Sequence, residues 1–324
     1  MAKIYWFCSV EQFNPETLVE HAVAAEAAGF DGIMISEHFH PWVDDDGTSS
    51  FAFSVLGAIA AKTTKIHLMT AVTAPLFRFH PGIAAQAAAT IDRLSGGRFE
   101  LGLGSGENIN EAPLGFPLPP YKERSMRLRE AITIISGLQK GTSLSFNGEF
   151  YQTKSAKLYS PPMHHIPTYL AAGGPQTATL AGEMCDGVIV SVKEVDTIIK
   201  QVIEPARKAH GSQKLTVVAS RWSVFAQDEA EQWEVLRPQR GLRAPSRGTA
   251  THPRQLQDEA DQLSRSEVLK NYHHVKNADD YIATYAPLIT DLQADIVGIQ
   301  TASGNQLRTI NMLGREVLPK LRQL

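Results

Sequence analysis

The sequence predicts a (β/α)₈ barrel, because short β-rich segments alternate with helical segments eight times along the chain. The same alternation could also form an open, doubly wound parallel sheet. Eight units within 324 residues, with no internal linker rich in proline, serine or glycine, favour the closed barrel. We therefore expect residues 1–324 to form a single α/β domain, with insertions near residues 141–165 and 228–277.

The predicted strands are short runs of apolar residues, many of them β-branched or aromatic, that end at turn or loop residues. They cover residues 3–8, 33–36, 66–71, 99–104, 168–171, 187–190, 215–224 and 296–300. The turn Ser95-Gly96-Gly97 marks the start of the fourth strand.

The predicted helices lie between the strands and are rich in alanine and glutamate or carry apolar residues at helical spacing. They cover residues 15–28, 54–62, 83–94, 121–138, a segment from 175, 195–210, 278–288 and 305–321. Asn14 is the expected N-cap of the first helix. In the fourth, Met126, Ile132, Ile135 and Leu138 lie near helical spacing.

Two segments interrupt the alternation. Residues 143–152 predict a β-hairpin, with strands over 144–146 and 150–152 joined by a turn at Asn147-Gly148. Residues 228–277 are polar and rich in glutamine, arginine and aspartate. We interpret both as insertions that shape a substrate pocket and a dimer surface.

Composition excludes several classes of protein. The chain is 43% hydrophobic and carries 31 Lys+Arg against 34 Asp+Glu, a formal net charge of −3. This balance predicts neither a nucleic-acid partner nor a membrane partner, both of which favour a concentrated basic face. Cys8 and Cys185 lack the spacing of a zinc site, so we expect reduced thiols. Without a secretory h-region at the start, the expected location is the cytoplasm.

Polar and aromatic side chains gather where the first four strands end. Active sites of (β/α)₈ barrels lie at the carboxyl ends of the strands and in the loops that follow. The loops here are residues 9–12, 36–42, 70–75 and 104–108. They carry Glu37, His38, His40, Trp42 and Glu107, which we expect to converge on one cavity. Among them, His38 and Glu107 are the strongest candidates for catalysis.

Three further features have weaker interpretations. Gly173 and Gly174 lie between the fifth strand and a helix N-terminus, where backbone N–H groups can face a phosphate. The acidic triplet 44–46 lacks the pattern of a calcium loop and predicts a solvated loop. Arg237, Arg240 and Arg243 are candidates to face an anionic group of a substrate, with a solvated basic turn as the alternative.

Five motifs give the sequence a family resemblance. They are Ser9-Val-Glu-Gln-Phe13, Glu37-His-Phe-His-Pro-Trp42, Arg78-Phe-His-Pro81, Gly104-Ser-Gly-Glu-Asn-Ile-Asn-Glu111 and Ala171-Ala-Gly-Gly-Pro175. With these motifs the chain resembles the bacterial luciferase-like monooxygenase family of (β/α)₈ flavin and deazaflavin oxidoreductases. Within it, the chain is most similar to the branch of the F420-dependent glucose-6-phosphate and secondary alcohol dehydrogenases.

The resemblance implies roles for individual residues. His38 would handle the proton beside the substrate carbon that gives or takes hydride, Glu107 would act as acid or base near the cofactor ring, and Trp42 would form a wall of the substrate pocket. Glu37 falls where that branch has an aspartate touching the cofactor, and Ala71-Val72 falls where the family often has a cis peptide. The other positions expected to bind cofactor are Ala74, Ser105, Gly106, Asn110, Gly173, Gly174 and Gln176.

The resemblance leaves the cofactor and substrate open. Coenzyme F420 with a small alcohol or carbonyl substrate is the first expectation, and an FMN-dependent monooxygenase is the alternative. A sugar phosphate is not the favoured substrate, because Asn271 stands where the sugar-phosphate dehydrogenases have an arginine. A metal-dependent hydrolase, suggested by His38 and His40, lacks ligands at later strand ends, so no metal is expected. A non-catalytic binding barrel is a further class. We expect a homodimer.

Overall fold

A computed structural model of the chain describes residues 1–270 and 272–324. Eight parallel strands close into a barrel, as the sequence predicts. In chain order they are β1 (Lys3–Cys8), β2 (Gly32–Ile35), β3 (His67–Thr70), β4 (Phe99–Leu103), β7 (Thr168–Ala171), β8 (Gly187–Ser191), β9 (Thr216–Phe225) and β11 (Ile296–Ser303). The three strands with the intervening numbers lie outside the ring and are described below. The ring closes where β11 pairs with β1, with Ile296 opposite Lys3.

Helices surround the barrel and occupy the segments between strands. They are α1 (Pro15–Ala28), α2 (Ala52–Lys62), α3 (Pro81–Ser95), α4 (Asn108–Glu111), α5 (Tyr121–Gln139), α6 (Pro175–Met184), α7 (Val195–Ile198), α8 (Glu204–His210), α9 (Glu229–Leu236), α10 (Pro253–Ala260), α11 (Arg265–Leu269), α12 (Ala278–Thr290), α13 (Gln306–Met312) and α14 (Leu318–Leu321). Two π-helical turns, Ile199–Ile203 and Leu313–Val317, join α7 to α8 and α13 to α14. Asn14 precedes α1 in extended conformation, but its side chain makes no capping hydrogen bond.

Apolar side chains fill both faces of the barrel wall. Inside it, Tyr5, Met34, Met69, Tyr169 and Val218 belong to one buried cluster. A larger cluster outside the strands packs them against the helices. Because both faces are buried, the strands are almost continuously apolar, as is typical of parallel sheets. No helix in the described part of the chain is both long and apolar enough to cross a membrane.

The predicted hairpin is present, but its turn is longer than expected. Its strands are β5 (Leu144–Asn147) and β6 (Gln152–Ala156), so the Asn-Gly turn and a second strand over 150–152 were wrong. The reason is the carboxylate of Glu130 in α5, which accepts hydrogen bonds from the backbone N–H groups of the three residues 149–151, at 2.7, 3.0 and 3.0 Å. These residues therefore face α5 instead of pairing with β5.

The described residues of the polar segment 228–277 form several helices. Besides α9, α10 and α11 the segment contains a 3₁₀ helix, Arg237–Arg243, and a short strand, β10 (His273–Val275), that pairs with the end of β9. The 3₁₀ helix and α10 lie over the carboxyl ends of the strands, where Leu242 and Leu256 pack with Trp42. This segment thus covers part of the barrel mouth.

Candidate active site

A cavity of about 540 Å³ opens at the carboxyl ends of the barrel strands. Pockets for organic ligands have volumes of roughly 300–1,000 Å³. Eleven of the residues predicted for the site line the cavity: Glu37, His38, Trp42, Ala71, Val72, Ala74, Ser105, Gly106, Glu107, Asn110 and Gly173. His40, which we also expected to converge on this cavity, is not among its lining residues. Gly174 and Gln176 follow directly at the start of α6, and their part in cofactor binding stays a prediction.

His38 lies at the centre of the polar groups. Its Nε2 atom is 3.3 Å from Glu11 Oε1 and 3.6 Å from Glu107 Oε2. Glu11 is buried and also accepts a hydrogen bond from Ser36 Oγ at 2.7 Å, which fixes its carboxylate. The His38 side chain is only 12% exposed, so one face of the imidazole meets two carboxylates in a largely enclosed space.

The other ring nitrogen of His38 faces two partners of opposite kind. Nδ1 lies 3.2 Å from the carbonyl oxygen of His40, to which it donates when protonated. It lies 3.3 Å from Asn110 Nδ2, from which it accepts when unprotonated. Asn110 Oδ1 in turn accepts from the backbone N–H groups of Phe39 and His40. Asn110 therefore fixes the loop that carries His38, and the imidazole has a partner in either tautomer.

An aromatic ring and a guanidinium complete this side of the cavity. The Trp42 ring meets the His38 imidazole edge to face, with centroids 4.8 Å apart. The Arg247 guanidinium lies 5.1 Å from the Trp42 ring centroid and donates from Nη2 to Glu107 Oε1 at 3.0 Å. Arg247 is thus held by contacts with both Trp42 and Glu107.

A buried ion cluster forms a further part of the cavity wall. Arg78 donates to both oxygens of Glu37, at 2.6 and 2.8 Å, and from Nε to Glu111 Oε1 at 3.2 Å. Burial raises the pKa of the Glu111 carboxyl, against the effect of Arg78. Burial alone would lower the pKa of Arg78, but Glu37 and Glu111 outweigh it and the pKa is raised. Both oxygens of Glu37 are engaged, so a cofactor contact by that carboxylate stays a prediction.

Small residues and a helix N-terminus border the cavity on the β3, β4 and β7 side. The peptide between Ala71 and Val72 is cis, as the family resemblance implied. A Cβ atom on Gly173 or Gly174 would meet no protein atom within 4 Å, so neither glycine is required by packing. Their missing side chains leave open space in front of α6. Nearby, Arg124 Nη1 donates to Ser105 Oγ at 3.1 Å.

Three residues were not among those singled out by the sequence: Glu11, Arg78 and Arg247. Glu11 and Arg78 both belong to motifs quoted above. The position of Glu11 in the loop after the first strand could have identified it as a site residue. Arg247 lies in the polar segment and shares no sequence pattern with the strand ends.

Arg237, Arg240 and Arg243 do not line the cavity, so the expectation that they face an anionic group of a substrate there was wrong. Arg237 pairs with Asp46, and Arg240 pairs with Asp45 and Asp261. Arg243 lies over the ring of Tyr272 at 4.7 Å. The acidic triplet is an exposed loop, as predicted, and two of its carboxylates in addition pair with Arg240 and Arg237.

A metal site would need several His, Cys, Asp or Glu side chains close together. Within residues 1–270 and 272–324, no group of three or more such side chains has suitable geometry. The expectation that a sugar phosphate is not the favoured substrate depends on Asn271, and this residue lies outside the described residues.

Comparison with known proteins gives one family. The luciferase-like monooxygenase family matches residues 2–288. The F420-dependent glucose-6-phosphate dehydrogenases of Segniliparus rotundus and Intrasporangium calvum are each 33% identical to this chain, over 99% and 100% of it and over 98% and 100% of their own lengths. A solved F420-dependent secondary alcohol dehydrogenase in complex with an F420-acetone adduct superposes with a TM-score of 0.90 at 28% identity, covering 99% of both chains.

Proposed function

The chain belongs to the luciferase-like monooxygenase family and is an oxidoreductase of that family, and we propose that it uses coenzyme F420 to transfer hydride to or from a small alcohol or carbonyl substrate. The observation that carries the proposal is the position of His38 Nε2 between the carboxylates of Glu11 and Glu107 in the cavity wall. Two relatives that match along their full length are F420-dependent dehydrogenases, which supports F420 over FMN as the cofactor.

The residues present fit a cofactor with a flat ring and an anionic tail. Ala71, Val72 and Ala74 offer small apolar contacts beside the cavity, where a ring can approach the backbone. Gly173 and Gly174 leave space at the N-terminus of α6, whose dipole and free N–H groups favour an anion. We propose that these residues hold the cofactor together with Glu37, Ser105, Gly106, Asn110 and Gln176.

F420, when bound, supplies a two-electron hydride acceptor or donor. The protein's part is to move the proton. In alcohol oxidation, the C–H bond breaks as its electron pair leaves with the hydride, the O–H bond breaks, and a carbonyl forms. Neutral His38 takes the hydroxyl proton at Nε2, a role that suits an imidazole because it gains and loses protons near neutral pH. Glu11 and Glu107 stabilise the resulting imidazolium.

The remaining side chains would orient the substrate. Trp42 contacts the His38 ring and lines the cavity, so it would form the wall against which the substrate's apolar part lies. The Glu107 side chain is 40% exposed, and this exposure gives it a route for proton exchange with solvent. Its pair with Arg247 holds the carboxylate in place. In the carbonyl-reducing direction His38 would return the same proton to the oxygen.

Binding titrations test the cofactor assignment. Oxidised F420 and FMN are each added to the purified protein, and the fluorescence of each ring is followed. We expect saturable quenching with F420 and an affinity for FMN weaker by about tenfold or more. Glucose 6-phosphate and propan-2-ol are then added separately to the F420 complex, and bleaching of the absorption of oxidised F420 reports oxidation of either one. Tighter binding of FMN than of F420 would favour the FMN-dependent monooxygenase instead.

We further propose that residues 1–324 form one domain and that the protein is a cytoplasmic homodimer. The barrel strands continue on both sides of segments 141–165 and 228–277, which supports insertions into one domain. Cys8 and Cys185 are buried free thiols, which suits a reducing compartment. Sedimentation equilibrium tests the dimer, and a single unfolding transition tests the single domain.

A further inference from the structure

Part of the cavity wall belongs to a cap, which we define as residues 237–260. The cap contributes Leu242 and Arg247 to the cavity lining. Gly241 lies directly against the loop after β2, because a Cβ atom there would lie 1.8 Å from the carbonyl oxygen of Trp42. The backbone of the cap therefore packs directly against the backbone of Trp42.

Arg240 joins the cap to the loop after β2. It is 3% exposed, although it carries a full charge. Its Nη2 and Nη1 donate to the two carboxylate oxygens of Asp45 at 2.8 and 3.3 Å, and its Nε donates to Asp261 Oδ1 at 2.6 Å. Nη1 also donates to the carbonyl oxygen of Arg237 at 2.9 Å. A planar guanidinium suits this multiple pairing, which a lysine ammonium could not reproduce.

Two further contacts reinforce the junction. Gln257 in α10 is buried, and its Oε1 accepts from the backbone N–H groups of Asp44 and Asp45 at 2.9 and 3.1 Å. Arg237 pairs with Asp46. The acidic triplet 44–46 is therefore the surface on which the cap is seated.

The junction lies beside the cavity without lining it. Asp45 follows Trp42 by three residues, and Arg240 precedes Leu242 by two and Arg247 by seven.

Among the groups that we assign to cofactor binding, Glu37 shares the loop after β2 but is held by Arg78. The others lie at the ends of β3, β4 and β7, in α4 and at the start of α6. Among the side-chain hydrogen bonds of the described residues, the cap reaches the β4 side only through Asn108, which donates to the carbonyl oxygens of Thr249 and Ala250, and through the Arg247–Glu107 pair. We therefore expect a displaced cap to change the substrate side of the cavity more than the cofactor side.

We propose that Arg240 is a positioning residue that holds Trp42, Leu242 and Arg247 in register around the substrate, and so sets substrate affinity. The proposal rests on the proposed function, in which these three residues face the substrate. Arg240 acts through Asp45 and the cap and touches no reacting atom. His38 keeps its own supports, Glu11 and Asn110, which do not belong to the cap.

The test compares Arg240→Met with the parent protein and with a matched control, Arg254→Met. Arg254 lies in the same cap and pairs with Asp258, but both side chains are 60% exposed. For whichever of glucose 6-phosphate and propan-2-ol the parent oxidises, Arg240→Met is expected to raise KM about tenfold while kcat and the Kd of F420 stay within about twofold. Arg254→Met is expected to change none of these values. Arg240→Lys keeps the charge, so its KM should lie between those of the parent and Arg240→Met.

Hydrogen exchange on the ligand-free protein gives a second readout. The backbone amides of Asp44 and Asp45 are expected to exchange about tenfold or more faster in Arg240→Met, with no change in the barrel strands. Should Arg240→Met fail to fold, Asp45→Asn is the substitute, because it weakens one partner of Arg240 and leaves Asp261 in place. We expect it to raise KM and amide exchange in the same direction as predicted for Arg240→Met, but by smaller factors.

An unchanged KM, or a loss of kcat and F420 affinity without a change in KM, would overturn the positioning role. If the parent oxidises neither alcohol, the proposed function has failed, and hydrogen exchange alone decides whether Arg240 holds the cap. Unchanged exchange at Asp44 and Asp45 would then overturn the proposal.

Discussion

Glu11 Oε1 lies 3.3 Å from His38 Nε2, so a carboxylate from the loop after β1 meets an imidazole from the loop after β2. The Glu11 side chain is 6% exposed and the His38 side chain is 12% exposed. Because screening by water is weak at this depth, the interaction strengthens whenever His38 carries a proton. We therefore propose that Glu11, a loop residue, stabilises the positive charge of protonated His38.

Replacing Glu11 by glutamine tests that role. Glu11→Gln keeps the size of the side chain and an oxygen that can accept from Ser36, but it removes the charge beside His38. We expect kcat to fall about tenfold or more, with the F420 affinity unchanged, because protonated His38 loses a stabilising carboxylate. Glu16→Gln, at an exposed position in α1, is the control. A kcat equal to that of the parent would contradict the role.

His38 and Glu107 should affect turnover more than cofactor binding. We expect His38→Ala to lower kcat by about 100-fold or more, the usual contribution of a general acid or base. Glu107→Gln should also lower kcat, by a smaller factor, because Glu11 still faces the imidazole. Steady-state rates and F420 titrations measure both effects. Full turnover in both variants would refute the assignment of roles.

The Arg78 cluster makes a prediction about stability. Arg78→Met would leave Glu37 and Glu111 buried without their cation, and breaking a buried pair in this way costs about 3–5 kcal/mol. Urea unfolding of the parent and the variant measures the change in free energy of unfolding. Arg129→Met removes an exposed pair with Glu183 and should cost at most about 1 kcal/mol. Equal effects of the two substitutions would show that burial of the cluster is not decisive.

His21 predicts how stability depends on pH. Burial lowers the pKa of His21 to about 4. Because the imidazole of an unfolded chain has a pKa of about 6.5, the unfolded state takes up this proton first as the pH falls. The contribution of neutral His21 is therefore fully present above pH ~6.5 and is lost as the pH falls towards ~4, a change of roughly 3 kcal/mol.

The matching experiment uses His21→Leu and urea unfolding between pH 7 and pH 4.5. The variant should lose less stability than the parent over this range, because it has no imidazole to protonate at this position. His164→Leu, at an exposed position, should behave like the parent. The same loss of stability in His21→Leu and the parent would disprove the assignment.

The sequence predicted the barrel and most of the cavity because both depend on local patterns. Alternation of strands and helices defines the barrel, and the rule for strand ends then brings His38, Trp42 and Glu107 together. The pairings could not be predicted in this way. Arg78 meets Glu37 across 41 residues, and Arg247 meets Glu107 across 140. A charge pattern does not say which distant partner a side chain will meet.

For Arg240 the sequence predicted a role that the residue does not have, again because its distant partner could not be predicted. Its position in a basic run suggested contact with a substrate anion, but the folded chain places it against Asp45, which lies 195 residues away in sequence. The paired carboxylates offset the desolvation cost of this buried guanidinium. The acidic triplet, which alone predicted a solvated loop, supplies two of them to the run.

Transfer of an isotopic label tests the central claim most directly. The protein is incubated without oxygen with oxidised F420 and with propan-2-ol deuterated at carbon 2 or glucose 6-phosphate deuterated at carbon 1. We expect at least one of them to bleach the absorption of oxidised F420 and to place its deuterium in the reduced cofactor, since the C–H bond breaks as hydride. Bleaching with the deuterium found in water, or no bleaching with either substrate, would contradict hydride transfer at this site.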